Sequence, residues 1–367
     1  MSGEIPDDNT PTGDGATGPD GSQPVSDAHA IPVPGQRPAP DAGGSRPEVA
    51  FPPVLNGLDY LASVVEHLSG QPTARDLKYA VLHLQAGTEV LLKARLQQEH
   101  WTLVLQDLGK EIRKKGTARE NFAQGEFISC GTAETLERLQ DVVGLDLDTR
   151  HTAAVTKLGK TRNALQHYGL TQSAHAVEAQ AATVLDFLLT FIHEHLLPHL
   201  APAEQGQVET AMEDVRQHLG AITKLIDTRM NGLKETLAPH EDITVLCPDC
   251  GMRALVAGEP VSCRFCYRTW PDAASAASDY VYSEMLRRES LDPRDNEERL
   301  VHHCPSCDVP TIVDVDRRES TIYLCLGCGD TFDDLIWCKG GCGSLVDPKT
   351  CDIDYCSTCT DRLYARF

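Results

Sequence analysis

Arg162, Asn163 and His167 are the residues whose types and spacing most directly permit chemistry. They lie in the hexapeptide Arg162-Asn163-Ala164-Leu165-Gln166-His167, a polar island in a region rich in leucine and alanine. An imidazole titrates near neutral pH and can take a proton from a ribose 2′-hydroxyl. A guanidinium can hold the phosphoryl oxygens on which charge grows as that hydroxyl attacks the adjacent phosphate. Such a pair cuts RNA without a metal. On a helix Asn163 and His167 share a face, whereas Arg162 lies about 140° around from His167 and must swing its flexible stem toward the same groove. One imidazole cannot easily act as both base and acid, so a symmetric homodimer supplying a second copy is expected. Lys157 and Lys160 sit beside the motif, and Lys110, Arg113, Lys114, Lys115 and Arg119 form a second positive segment in a predicted loop. Of these, Lys157, Lys160, Lys114 and Lys115 are the candidate contacts to an RNA backbone.

A second chemistry is written in the cysteines, thirteen of fourteen of which fall after residue 246. Cys247, Cys250, Cys263 and Cys266 form two C-x2-C pairs, and Cys304, Cys307, Cys325 and Cys328 repeat the pattern. Paired knuckles of this kind place four thiolates in tetrahedral range of one Zn²⁺, with Gly251 and Gly329 supporting the turns. The third group offers five thiols for four positions; Cys338, Cys342, Cys356 and Cys359 are the expected ligands, and Cys351 is a spare or an alternative. His302 and His303 read as exposed polar residues, and Cys130, far from any other cysteine, as a small core residue. Four-thiolate sites leave no open coordination position, so the three Zn²⁺ ions are expected to be structural, with no cofactor used in catalysis. Tyr267, Trp270, Tyr323, Phe332 and Trp337 either offer stacking surfaces or fill the small cores of these modules.

The elements that must position these groups follow from periodicity. Apolar residues at three- and four-residue steps predict helices over 54–68, 72–98, 132–143, 150–168 and 173–197, with no alternating strand pattern between them. The fold class is therefore mainly α: a helical bundle at 51–200, a connector helix at 203–240, and small β-rich zinc ribbons at 243–271 and 300–333, with a third zinc-binding module at 334–367. The connector has heptad-like spacing from Val208 to Leu233, interrupted where Arg229 takes an apolar position; it forms a coiled coil with a partner chain or packs back on the bundle. Within the second ribbon, 311–315 and 321–324 read as two short strands.

Residues 1–50 hold nine Pro and eight Gly with eight acidic against two basic residues, a composition expected to leave a disordered tail. The formal charge of −21 divides as −6 for 1–50, −5 for 51–240 and −10 for 241–367. Three four-thiolate zinc sites add about −6 to the last segment. That balance argues against a ribbon-type transcription regulator binding DNA through its phosphates. No apolar leader is present and the longest apolar run carries Asp186, so a soluble, cytoplasmic protein without membrane association is expected.

The segment from Tyr79 to Leu96, taken with Thr161-Arg162-Asn163-Ala164-Leu165-Gln166-His167-Tyr168, resembles the HEPN superfamily of all-α domains, which carry an Arg-x4–6-His motif on a late helix. The resemblance covers about residues 54–200, specific at the motif and diffuse elsewhere. It implies a metal-independent endoribonuclease acting as a dimer, with His167 as general acid/base, Arg162 as the phosphate-binding cation and Asn163 as an orienting group. In a cell such an enzyme would serve as a toxin, defence or stress effector. Glu89 matches an acidic position of some members, and also sits four residues before Lys93, where it would pair with that lysine on the helix surface. Some members lack nuclease activity, which keeps a dimeric adaptor recruiting a protein partner through its zinc ribbons as the alternative.

Overall fold

The computed structural model describes residues 50–287, 301–316, 321–351 and 353–365. The expected N-terminal tail, apart from residue 50, lies outside the described residues.

The described chain opens with a helical hairpin. Helix α1 (Pro53–Leu68) starts with proline in its first turn, where a missing N–H costs nothing, and α2 (Ala74–Glu99) starts on a capping box between Thr73 and Asp76. The two cross closely because Gly57 faces Leu91 and Gly87 faces Tyr60. The basic segment expected as a loop is partly helical: Lys110 lies in α3 (Leu108–Glu111) and Arg119 in α4 (Ala118–Ala123), with Arg113, Lys114 and Lys115 between them, and α5 (Thr132–Asp141) comes next.

Helix α6 (Thr149–His167) begins at Asp148, whose carboxylate accepts from the Arg150 N–H at 2.7 Å, and ends where Gly169 takes φ +87°. Helix α7 (Ala174–Phe191) runs on through a π-type turn at Ile192–Leu196 and a tight turn at Leu197–His199. The stretch Ala174–His199 is long and apolar enough to cross a membrane by composition. Here it is a core helix of the bundle: Val184, Leu185 and Leu188 are fully buried, and α7 packs on α2 and α6.

The single connector helix expected over 203–240 is instead two, α8 (Pro202–Leu219) and α9 (Thr223–Leu237), joined at Gly220-Ala221-Ile222. They fold back on the bundle, α8 against α1 and α9 against α7. Gly220 stands at the break, where a side chain would collide with the carbonyl oxygen of Cys250 in the first cysteine module. The apolar heptad positions Val208, Met212, Val215 and Leu219 are buried in this intramolecular contact.

The cysteine region forms three small antiparallel sheets. The first orders β1 (Thr244–Leu246), β2 (Arg253–Val256) and β3 (Ser262–Cys263). Helix α10 (Ala273–Arg287) comes next, its start marked by Asp272, which accepts from the Ser275 N–H at 2.7 Å. The second sheet orders β4 (His302–His303), β5 (Pro310–Asp316), β6 (Thr321–Cys325) and β7 (Thr331–Phe332), with Val313 opposite Leu324 and Asp314 opposite Tyr323. Strand β5 also receives α10 against it. The third sheet pairs β8 (Ile336–Trp337) with β9 (Leu345–Val346), and α11 (Ser357–Tyr364) closes the described chain.

These modules are not beads on a string. Phe265, Leu255 and Trp270 of the first, and Val313 and Leu324 of the second, belong to the same continuous core as the helices. The other side of the second sheet carries a small cluster of its own, where Ile312 and Phe332 meet Leu345 of the third module. The third keeps a core apart, built on Cys338, Val346 and Cys359. Gly220→Val is expected to lower stability by about 1–3 kcal/mol by overpacking against the first module. In a thermal melt read by circular dichroism, Gly206→Ala on the open side of α8 should leave stability unchanged or slightly raised, since no atom lies within 4 Å of its added methyl.

Candidate metal centres and the exposed face of the sixth helix

Each cysteine module gathers four sulfurs, all within 4.8 Å of one another: Cys247, Cys250, Cys263 and Cys266; Cys304, Cys307, Cys325 and Cys328; Cys338, Cys342, Cys356 and Cys359. Cross-knuckle separations are 3.8 Å for Cys247–Cys266 and Cys250–Cys263, 3.7 Å for Cys307–Cys325 and 3.6 Å for Cys342–Cys356. A zinc ion with four thiolates at about 2.3 Å requires a tetrahedron whose edge is about 3.8 Å. A disulfide would demand about 2.05 Å. The donor sets therefore fit zinc, and zinc bound there would be a closed, structural centre.

Backbone N–H groups donate to the sulfurs: Ser306 to Cys304 at 3.3 Å, Cys328 to Cys325 at 3.3 Å, and Cys356 to Cys338 at 3.2 Å. Thr311, fully buried, places its hydroxyl 2.9 Å from the Cys325 sulfur. In all four knuckles of the first two modules the residue after the second cysteine has a positive φ: Gly251 (+71°), Tyr267 (+59°), Asp308 (+59°) and Gly329 (+81°). Cys351 stands outside the third set, its thiol directed at the Tyr355 carbonyl oxygen at 2.8 Å. His302 and His303 join no sulfur group among the described residues. Cys130 is buried, its sulfur 3.3 Å from the Thr135 hydroxyl. Of the five aromatics, Trp270 and Phe332 are buried, Tyr267 and Tyr323 half-buried, and Trp337 remains 56% exposed with its ring edge-on to His302.

Sequence reasoning missed what holds the first module. Arg229, whose charge interrupts the apolar heptad pattern, is 4% exposed and donates through Nε to the Phe265 carbonyl and through Nη2 to that of Arg264 at 3.3 Å. Its Nη1 meets Asp186 of α7 at 2.6 Å, and its guanidinium lies 4.5 Å from the Tyr267 ring centroid. Arg216 of α8, 1% exposed, donates to the Cys266 carbonyl at 3.3 Å and pairs with both oxygens of Glu209 at 2.9 Å. Burial alone would raise the Asp186 pKa, but the hydrogen bond to His151 and the Arg229 charge outweigh it and hold the carboxyl below its usual value. The only signal in the sequence was a charge at a heptad position meant for an apolar side chain.

On α6, Val155, Leu158 and Thr161 face the core, and Lys157, Lys160, Asn163 and His167 are exposed along the opposite side. Among the described residues no carboxylate lies within ion-pair distance of either lysine. Arg162 is set apart: half-buried on one flank, its Nη1 donates to Gln166 at 3.1 Å. Arg162 and His167 of one chain thus occupy different sides of the helix. In the other basic segment, Lys114 is taken up by Glu111 at 2.7 Å and by the Glu126 carbonyl at 3.1 Å, while Lys115 is exposed. Glu89 pairs with Lys93, which also donates to the Ser129 hydroxyl at 2.8 Å.

Comparison with known proteins finds no match: no family pattern fits the chain, and no curated protein or solved structure is similar to it. The chain is thus a mainly helical region joined to three four-cysteine clusters consistent with structural zinc.

Metal analysis of the purified chain is expected to give three zinc ions, unchanged in Cys351→Ser and reduced to two in Cys356→Ser. Arg229→Ala should cost about 3–5 kcal/mol, because it removes the cationic partner of the largely buried Asp186 and the donor to the Phe265 carbonyl. Chemical denaturation of the zinc-loaded protein measures that loss.

Proposed function

We propose that the chain is a metal-independent endoribonuclease of HEPN type, working as a homodimer whose paired α6 helices bring Arg162 of one copy to His167 of the other. The supporting observation is the exposed row of Lys157, Lys160, Asn163 and His167 on one side of α6, its lysines free of carboxylate partners among the described residues in a protein of net charge −21. Because Arg162 and His167 of a single chain lie on different sides of the helix, the reading requires a second copy.

In this reading His167 of one copy takes the proton of the 2′-hydroxyl as its oxygen attacks phosphorus. Arg162 balances the charge on the phosphoryl oxygens, and His167 of the other copy returns a proton to the leaving 5′-oxygen. The bond to the 5′-oxygen breaks, giving a 2′,3′-cyclic phosphate and a 5′-hydroxyl. Asn163, one turn before His167, orients the phosphate, and the two lysines hold neighbouring phosphates. The zinc ions take no part in the chemistry; their modules supply the surface for recruiting a substrate or a protein partner.

A second reading, a dimeric adaptor without catalysis, is favoured by one observation: the Arg162 guanidinium is engaged by Gln166 rather than turned toward the exposed row. The location of the two His167 side chains in the dimer separates the readings, facing each other for the nuclease and facing away for the adaptor.

The full chain incubated with labelled single-stranded RNA should cleave without added metal. His167→Ala should slow cleavage by about 10²–10⁴-fold, and Arg162→Lys by about tenfold through loss of the bidentate fork. Intact RNA in every wild-type reaction, or undiminished cleavage by His167→Ala, would overturn the nuclease reading.

A further inference from the structure

Tyr168, the residue at which α6 ends, is 85% exposed, the most open of the large apolar side chains described. Its ring centroid lies 5.9 Å from that of His167, tilted by 51°. The Tyr168 hydroxyl has no hydrogen-bond partner among the described residues. Gly169, with φ +87°, turns the chain away immediately afterwards and leaves the ring standing clear at the helix end. A tyrosine ring left in water forgoes about 1.5–3 kcal/mol of burial that a core position would provide. Single-strand binding surfaces expose aromatic rings in this way, since every base has a face to stack.

The placement along α6 adds a second observation. Lys157, Lys160, Asn163 and His167 lie in chain order on the exposed side and lead to Tyr168. At 1.5 Å per residue the row is about 15 Å long, enough to span two or three phosphates of an extended strand. Base and backbone contacts thus adjoin at the imidazole.

We infer that Tyr168 is a base-stacking platform that seats one unpaired nucleobase beside His167, making the row on α6 a binding strip for single-stranded RNA. The inference rests on the RNA-directed reading of α6 but not on cleavage itself. A base paired within a duplex keeps both faces against its neighbours and cannot lie on the ring. The platform therefore selects unpaired segments, and because the contact is made by the ring rather than the hydroxyl, phenylalanine serves as well as tyrosine.

The test uses the full zinc-loaded chain and a fluorescein-labelled 2′-O-methyl decanucleotide of uridine and adenosine, which cannot be cut because its 2′-oxygen carries no proton. Fluorescence anisotropy is expected to show binding that weakens about tenfold in Tyr168→Ala and changes less than twofold in Tyr168→Phe, with the blunt duplex of the same sequence bound more weakly than the single strand. Equal affinity of Tyr168→Ala and wild type, or equal binding of duplex and single strand, overturns the inference. Tight stacking-dependent binding by a chain that cleaves no RNA would sustain the platform and remove the nuclease reading alone.

Discussion

Two buried arginines hold this molecule together across its one chemical boundary. Arg216 and Arg229 rise from α8 and α9 and donate to the carbonyls of Arg264, Phe265 and Cys266, the loop that carries half the ligands of the first metal centre. A buried guanidinium is costly to desolvate and is tolerated only when its donors are satisfied. Here Glu209 and Asp186 supply the opposite charges and the knuckle supplies the carbonyls. The knuckle in turn needs donors for carbonyls it cannot satisfy within so short a loop. Each side therefore completes the other, and the position of α8 and α9 on the bundle depends on a correctly formed cysteine module.

The same dependence extends into the second module. Residues from the first two modules enter the helical core, and the Gly258 N–H donates to the Leu326 carbonyl at 2.9 Å, tying one module to the other. Trp270 is fixed by its indole N–H on Asp279 of α10 at 2.7 Å. The third module departs from this continuity: it has a small cluster of its own and reaches the second through Leu345.

Much of this was legible in the sequence, for identifiable reasons. The helices of the bundle follow from a 3.6-residue period, strong in α1 and α5, and the cysteine groups follow from spacing alone because C-x2-C geometry is local. Even the choice of Cys356 and Cys359 over Cys351 follows a C-x2-C rule. What periodicity could not show was contact between distant segments. The break at Gly220 reads as an unremarkable glycine until the Cys250 carbonyl is placed beside it, and Arg229 reads as a flaw in a heptad until Asp186 and the knuckle surround it. Helix α10 escapes a reading by periodicity because its alanine-rich start carries little apolar contrast. For the α6 surface, the motif gave the residue types and their shared face, but where Arg162 turns is decided by Gln166, a neighbour the motif does not specify.

Tyr267 carries one more consequence. Its left-handed backbone costs a residue with a side chain about 1–2 kcal/mol relative to glycine, and it is held between the Arg229 guanidinium and the His193 ring, stacked at 4.2 Å. Both supports come from helices outside the module. A fragment trimmed to the boundaries its cysteines suggest would keep every ligand yet carry a twisted tyrosine with nothing against it. A fragment chosen by its metal ligands alone therefore lacks the Arg229 and His193 contacts of Tyr267.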